Sequence, residues 1–481
     1  MAKITFISPS MNFRRSMGVY APLMEAAPPI GIARLAAVCE QLGMKAEIID
    51  SYSERLSSER TVERLESAWP DFVGVSCLTP SAVFVEDVLR KIRAAHPKTR
   101  IVLGNVHAEV FARDYIESGL ADAVVHGEGE STLPALLSAW SDSRQPDSDM
   151  PGISFMKDGK FFSTPPAAPI SDLDKLPIPS WHLTPYSLYG LLPFVTMAKP
   201  AFTVEGSRGC PHHCYFCSLL GTGKPYRKFS AARIVDEFEI LINEYGAKQI
   251  AFADAMFPLT ENQGIEFCEL LMARIPDNKK VLWTTETRTD VITDKLAVAM
   301  KSAGCGRVLM GIESGADDTL MNINKGLKTD KTRAAVESCR KAGIQSCGFF
   351  ILGLPGETKV NAEKTVRFAR ALPLDIAKFN IAIPYPGSRF YNDLDAAGLL
   401  RHKRWEDYTC YASKPDQLPW VNPEWYPLEL IDFQNKALRR FYFRAGLIFR
   451  HLFIIRSVKP WFLIVGGWIL LAGVFKEMRK A

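Results

Sequence analysis

Short apolar runs alternate with longer stretches of helical spacing through most of the chain. Residues 3–8 (KITFIS) pattern as a buried strand, and 29–43 (PIGIARLAAVCEQLG) as a helix with a glycine stop. AEIID (46–50), DFVGVSC (71–77), RIVLG (100–104) and DAVVHG (122–127) read as further strands, separated by helical stretches such as 82–96. This alternation predicts a parallel, doubly wound α/β sheet, which binds ligands at the carboxyl ends of its strands. Residues 141–185 break the pattern with Ser, Asp and Pro, and hold one hairpin-like piece, MKDGKFF (156–162). From about residue 200 the alternation returns: FTVEGSRG, QIAFAD, LWTTETR, RVLMGIES, SCGFFILGLPG and KFNIAIPYPG, with helices such as 231–245 and 330–342 between them. Six such units predict a partial (β/α) barrel with its active site at the strand C-termini.

The expected organisation is an N-terminal α/β domain over 1–140, a linker over 141–195, the partial barrel over 196–400 and a C-terminal helical extension over 401–481. Hydrophobic content of 47% and charged content of 23% suit ordinary globular cores. The net charge of +5 is unevenly placed: Lys436 to Ala481 carries +9, so the rest is slightly acidic. That argues against nucleic acid as a partner. Residues 436–456 mix arginines with Phe, Leu and Ile, and Trp461 to Phe475 carries no charge. This is the composition of an interfacial anchor rather than a full span, which needs about 20 residues. A buried helix pair is the alternative. The first residues hold no apolar stretch of signal-peptide length, so a cytoplasmic location is expected, at the inner face of the cytoplasmic membrane.

Ten cysteines are too few for a disulfide scaffold in a chain of 481 residues, and three of them share one loop: Cys210-Pro-His-His-Cys214-Tyr-Phe-Cys217. Three thiolates in one tight loop can hold three irons of a 4Fe-4S cluster and leave the fourth iron open. A zinc site completed by His212 or His213 is the alternative. Cys-x3-Cys-x-aromatic-Cys after a strand resembles the radical S-adenosylmethionine family, with Phe216 as the aromatic residue. The resemblance implies that the open iron binds S-adenosylmethionine and that an electron from the cluster cleaves it to a 5′-deoxyadenosyl radical. A low-potential donor such as flavodoxin or ferredoxin is then the expected partner.

The same resemblance suggests roles for residues at later strand ends. Asp254 would accept a hydrogen bond from the methionine amino group, or else cap a helix. The family often has a second acid or Asn where this chain has Ala255. Arg288 would neutralise a carboxylate, or serve as an internal ion-pair partner. Glu313, in Gly311-Ile-Glu-Ser-Gly315, would bind the ribose hydroxyls, since a carboxylate accepts two hydrogen bonds at once. Gly353 and Pro384 lie in segments where backbone would approach the adenine, although turn-making explains them nearly as well.

The first domain resembles the Rossmann-like cobalamin-binding domains found ahead of such barrels. The carrying pieces are Pro28-Pro-Ile-Gly31, Leu103-Gly-Asn-Val-His107 and Gly127-Glu-Gly-Glu-Ser-Thr132. No Asp-x-His-x-x-Gly is present, so the lower cobalt face is expected to lack a histidine ligand. Gly127 and His107 are candidate corrin contacts, with a structural role for His107 as the alternative. The resemblance extends to hopanoid methylases and anaerobic magnesium-protoporphyrin ester cyclases. It implies a cobalamin-dependent C-methyltransferase acting on a small hydrophobic substrate, such as an isoprenoid lipid or a tetrapyrrole. Alternatives are an anaerobic oxidative cyclase or C–C coupling enzyme, or a non-catalytic corrin or redox sensor at the membrane.

Overall fold

The computed structural model describes residues 2–17, 21, 24–191, 195–219, 224–277 and 281–447. The first sheet contains β1 (Lys3–Ser8), β2 (Lys45–Asp50), β3 (Phe72–Ser76), β4 (Arg100–Gly104), β5 (Ala123–Val125), β6 (Ile153–Lys157) and β7 (Lys160–Ser163). Their order is β2-β1-β3-β4-β5-β6-β7, with the first five parallel. Both faces are covered. Ile4 and Phe6 of β1 pack with Ala33 and Ala36 of helix Ile30–Gln41 and Leu136 of helix Gly129–Ser141. Ile7 faces the other way, toward Val85, Leu89 and Ile92 of helix Ala82–Ala95. The strand order reverses direction between β1 and β3, and ligands bind at such a switch point.

The segment read as a linker does more than connect. Its hairpin, β6 and β7, pairs antiparallel with β5 and extends the sheet. The physical reason is the edge: β5 would otherwise leave a row of unpaired backbone groups. Further on, Leu191 and Val195 fill the concave face of the barrel.

The barrel begins with β8 (Ala201–Val204), followed by an antiparallel hairpin of β9 (Ser207–Cys210) and β10 (Lys224–Lys228). Next come β11 (Gln249–Phe252), β12 (Leu282–Thr287), β13 (Cys305–Glu313), β14 (Gln345–Leu352) and β15 (Ile376–Ile381). The sheet order β15-β14-β13-β12-β11-β8 is sequential and parallel throughout. Phe202, Phe252, Trp283, Met310, Phe350 and Phe379 point to the convex side, into a core shared with the helices. The doubly wound domain followed by a partial barrel is the expected fold class.

The C-terminal extension belongs largely to the folded body. Residues 401–426 bridge the two domains: Arg15 donates to both carboxylate oxygens of Asp407, at 2.8 and 2.9 Å, and Phe111 packs 4.9 Å from Trp405. Helix Pro427–Tyr442 then crosses back along β15, burying Leu430, Ile431, Ala437 and Phe441. Gln434 donates to the Phe379 carbonyl at 2.7 Å. Arg440, read from sequence as part of an interfacial basic face, makes a bidentate pair with Glu363 at 2.6 and 2.7 Å. Residues 436–442 are thus a barrel element. Among the described residues no helix is long and apolar enough to cross a membrane. The rest of the basic segment and the uncharged run 461–475 lie outside the described residues.

Candidate functional site

The three clustered cysteines sit on the hairpin that leaves the C-terminal end of β8. The turn is tight: Cys217 N donates to the Cys214 carbonyl at 3.1 Å. Neighbouring loops pin it from two sides. Tyr215 N donates to Ile323 O at 3.0 Å, Phe390 N to Tyr215 O at 3.1 Å, and Asn324 Nδ2 to His213 O at 2.9 Å. Phe216, the aromatic residue of the motif, packs against a cluster containing Leu320, Ile323, Leu354 and Phe390. The result is a fixed loop whose three thiols stay partly exposed. Cys39, Cys77, Cys268 and Cys339 are buried instead, and burial pushes each thiol up to about 12. They are inert core groups.

Glu313 ends β13 at a bulge, with a left-handed φ of 62° that a non-glycine residue rarely adopts. Its Oε1 accepts from Lys325 Nζ at 2.8 Å, and both side chains are buried. Gly311 makes room for the pair, since a Cβ there would lie 2.6 Å from Glu313 Oε1 and 2.9 Å from Lys325 Nζ. Desolvation opposes the charge on Lys325, but Glu313 and Cys214 outweigh it and raise its pKa. Lys325 therefore links the strand-end carboxylate to the cysteine loop. Sequence reasoning missed it because it lies in a loop with no motif of its own.

The other strand-end candidates are occupied by the protein itself. Asp254 accepts from Gly206 N at 3.1 and 2.9 Å and from Ser207 Oγ, so it braces the entry to the cysteine hairpin. The following helix, Glu261–Arg274, is capped by Thr260 instead. Arg288 grips Asp290 at 3.1 and 2.9 Å and donates to the carbonyls of Lys325 and Gly326 at 2.8 and 3.2 Å. Gly353 has a φ of +75°, and a Cβ there would meet Leu430 at 2.9 Å. Its freedom serves the turn and the seating of helix Pro427–Tyr442. Pro384 is buried, and its turn brings Gly387 against Val106 of the first domain.

In the first domain, His107 is 1% exposed. Its Nδ1 lies 3.2 Å from Thr79 Oγ1, and its ring packs 4.6 Å from Phe111 and 5.0 Å from Trp405. Burial lowers its pKa to about 4, so the imidazole is neutral. Gly127 lies just beyond β5, where its N donates to Glu109 at 3.1 Å and the space a Cβ would occupy is open.

The residues after Gly127 have a role that no local pattern revealed. Arg208, two residues before Cys210, donates to Glu130 at 2.6 Å and to Glu205 at 3.1 Å. Arg227, on β10 of the same hairpin, grips Glu128. Arg34, fully buried, completes the network with Glu205 at 2.8 Å. The Glu-Gly-Glu turn of the first domain thus clamps the cysteine hairpin of the second.

Residues 204–369 match the radical SAM superfamily and residues 19–137 the B12 binding domain. Over 433 residues the chain is 33% identical to an uncharacterized methyltransferase of Pyrococcus horikoshii, which spans 89% of this chain and 90% of that protein. The chain belongs to the B12-binding radical SAM enzymes. This radical SAM enzyme is also 30% identical to the anaerobic magnesium-protoporphyrin IX monomethyl ester cyclase of Cereibacter sphaeroides, over 92% of this chain and 71% of that one. Its fold is similar to that of TsrM, a radical S-adenosylmethionine methyltransferase from Kitasatospora setae. The TM-score is 0.66 at 19% identity, over 93% of this chain and 82% of that one. The two matched domains are those of the three cofactors expected from the sequence: a 4Fe-4S cluster, S-adenosylmethionine and cobalamin.

Proposed function

We propose that this enzyme is a cobalamin-dependent C-methyltransferase whose cluster is held by Cys210, Cys214 and Cys217. The carrying observation is the clamp from Arg208 to Glu130, which joins the cysteine hairpin to the strand ends of the B12-binding domain. The residues fit the cofactors. The three thiols are partly exposed on one pinned loop, and three thiolates carried by one loop are the donor set for three irons of a 4Fe-4S cluster. Leu78, just beyond β3, and Val110, closing the short helix that follows β4, are 46% and 40% exposed, which suits a large apolar-faced ring. His107, neutral and enclosed, is not offered as a cobalt ligand.

When bound, the cluster supplies the electron that cleaves S-adenosylmethionine and cobalamin supplies the methyl group. The chain's own contributions are positional. Lys325 holds Glu313 at the strand end, ready to accept from ribose hydroxyls. Asp254 and the two arginine clamps fix the hairpin. A low-potential electron donor is required, and the supporting feature is the hairpin's partial exposure. The substrate in this reading has a hydrophobic body. The net +5 of residues 448–481, beyond the helix that packs on the barrel, supports association with the inner face of the cytoplasmic membrane.

The test is product stoichiometry. The anaerobically reconstituted full chain, given a cell extract from a strain lacking it, should form 5′-deoxyadenosine and S-adenosylhomocysteine in about equal amounts, because methyl transfer uses two molecules of S-adenosylmethionine. Formation of 5′-deoxyadenosine without S-adenosylhomocysteine would support a cyclase and overturn methyl transfer.

A further inference from the structure

The concave face of the barrel has an apolar floor of Ala201, Ala251, Leu309, Cys347 and Ile376, closed by Leu191 and Val195. Two oppositely charged groups stand on that face. Parallel register sets Glu286 of β12 beside Leu309, and Lys378 of β15 beside Phe349. Lys378 Nζ lies 5.4 Å from the Phe349 ring. Among the described residues, neither the Glu286 nor the Lys378 side chain has a hydrogen-bond or ion-pair partner. Glu286 senses the charge of Lys378, yet the two do not close on each other. Opposite charges in a semi-enclosed site are normally paired. Held apart, they leave a gap with a cationic and an anionic side.

Further unmet groups share this interior. Asn380 Oδ1, two residues along β15 from Lys378, is buried without a partner. So are Thr203 Oγ1 and Thr284 Oγ1, which flank Ala251 across three adjacent strands. Buried polar atoms are rarely left unsatisfied without a reason, and several on one barrel face point to a ligand that satisfies them. The cofactor end of the barrel already has its own cations. Lys325 and Arg288 act on Cys214, whereas Lys378 acts on Cys347 and Cys410. Arg307, the other cation acting on Cys347, is taken up by Gln345, and Lys378 lies away from the cysteine hairpin. Glu286 opens to solvent at the barrel mouth, yet desolvation by the surrounding barrel, together with the Glu313 carboxylate, pushes it up to about 7, so its carboxyl can both accept and donate.

We propose that Lys378 binds an anionic group on the substrate, with Glu286 and Asn380 hydrogen-bonding a hydroxyl or amine close to it. The substrate class is an organic acid with an apolar body, which rests on the floor formed by Leu309, Ile376 and Phe349. This deepens the methyltransferase reading and rests on it. A neutral hydrocarbon would leave Lys378 and Glu286 desolvated and unpaired, so such a molecule is disfavoured even though the floor would accept it.

The test uses methyl-13C S-adenosylmethionine and the anaerobically reconstituted full chain. The probes are two fractions of extract from a strain lacking the protein: material retained by an anion exchanger at neutral pH, and neutral lipid. Label should enter the anion-exchange fraction. Lys378→Met should lower incorporation by at least about tenfold, chiefly by raising the half-saturating amount of that fraction, because a charge-assisted contact is lost. Lys378→Arg should restore most of it, and Glu286→Gln gives a second, near-isosteric variant that should weaken it in the same way. Label entering only neutral lipid would overturn the proposal. So would a Lys378→Met chain with unchanged incorporation, or one whose main defect is loss of S-adenosylmethionine binding. A wild-type chain that forms no 5′-deoxyadenosine would instead count against the underlying radical reading.

Discussion

Replacing Arg208 with Met should destabilise the enzyme far more than an ordinary arginine truncation would. The Arg208 side chain is 12% exposed and Glu130 is 7% exposed. Desolvation opposes the charge on Arg208, but Glu205 and Glu130 outweigh it and hold the guanidinium firmly protonated. Removing the arginine leaves Glu205 with Arg34 and Glu128 with Arg227, so Glu130 alone loses its main partner. Breaking a buried pair by removing one member costs about 3–5 kcal/mol, and a single orphan places R208M near the lower end, about 3 kcal/mol. E130Q should cost less, about 2 kcal/mol, because Arg208 keeps Glu205. The double variant E130Q/R208M should cost little more than R208M alone, giving a coupling of about 2 kcal/mol. At about 2–4 °C per kcal/mol for a unit of 150–250 residues, R208M should melt about 6–12 °C below the wild type in differential scanning calorimetry. Strictly additive single and double variants, or an R208M midpoint within about 1 °C of wild type, would refute the clamp.

Other predictions follow from single groups. His107 is neutral in the fold, with a pKa lowered by burial to about 4 against about 6.5 unfolded. Its contribution is therefore present above pH 6.5 and is lost as the pH falls toward 4. At pH 5 the loss is about 2 kcal/mol. His107→Phe should shrink the difference in denaturant midpoint between pH 7 and pH 5 accordingly, and an unchanged difference would contradict the burial argument. Gly311→Ala would drive a Cβ to 2.6 Å from Glu313 Oε1 and should break the pair with Lys325. Weakened S-adenosylmethionine binding, read by equilibrium dialysis, is the expected result. Truncation before Leu430 removes Leu430, Phe441 and the Arg440–Glu363 pair from the barrel and should lower its melting temperature, whereas truncation after Leu447 should spare the barrel. Equal melting temperatures for the two truncations would show that helix Pro427–Tyr442 does not support the barrel.

Much of the architecture was legible because its signals are local. Each strand is a short apolar run, and the cysteine loop declares itself within eight residues. What escaped were contacts between residues distant in sequence. Arg208 and Glu130 are 78 positions apart, and Arg440 and Glu363 are 77 apart. Seen alone, Arg440 reads as one more charge on a basic helix, while its partner makes it part of the barrel. Asp254 and Arg288 were recognised as strand-end polar groups, but their partners, Gly206 and Lys325, are set by neighbouring strands and loops. The hairpin β6–β7 looked isolated because edge pairing depends on which strand ends up unpaired. Glu286 drew no notice as a site residue, since a single carboxylate in an alternating strand carries no spacing signal.

The central claim is that Cys210, Cys214 and Cys217 hold the cluster of a radical enzyme, and one measurement addresses it directly. Iron and sulfide should be determined on anaerobically reconstituted wild-type chain and on the triple Cys→Ala variant, with 5′-deoxyadenosine measured after addition of dithionite and S-adenosylmethionine. The account predicts about four irons and four sulfides per wild-type chain together with 5′-deoxyadenosine, and neither in the triple variant. An intact cluster in the triple variant, or zinc in place of iron in the wild type, would contradict it.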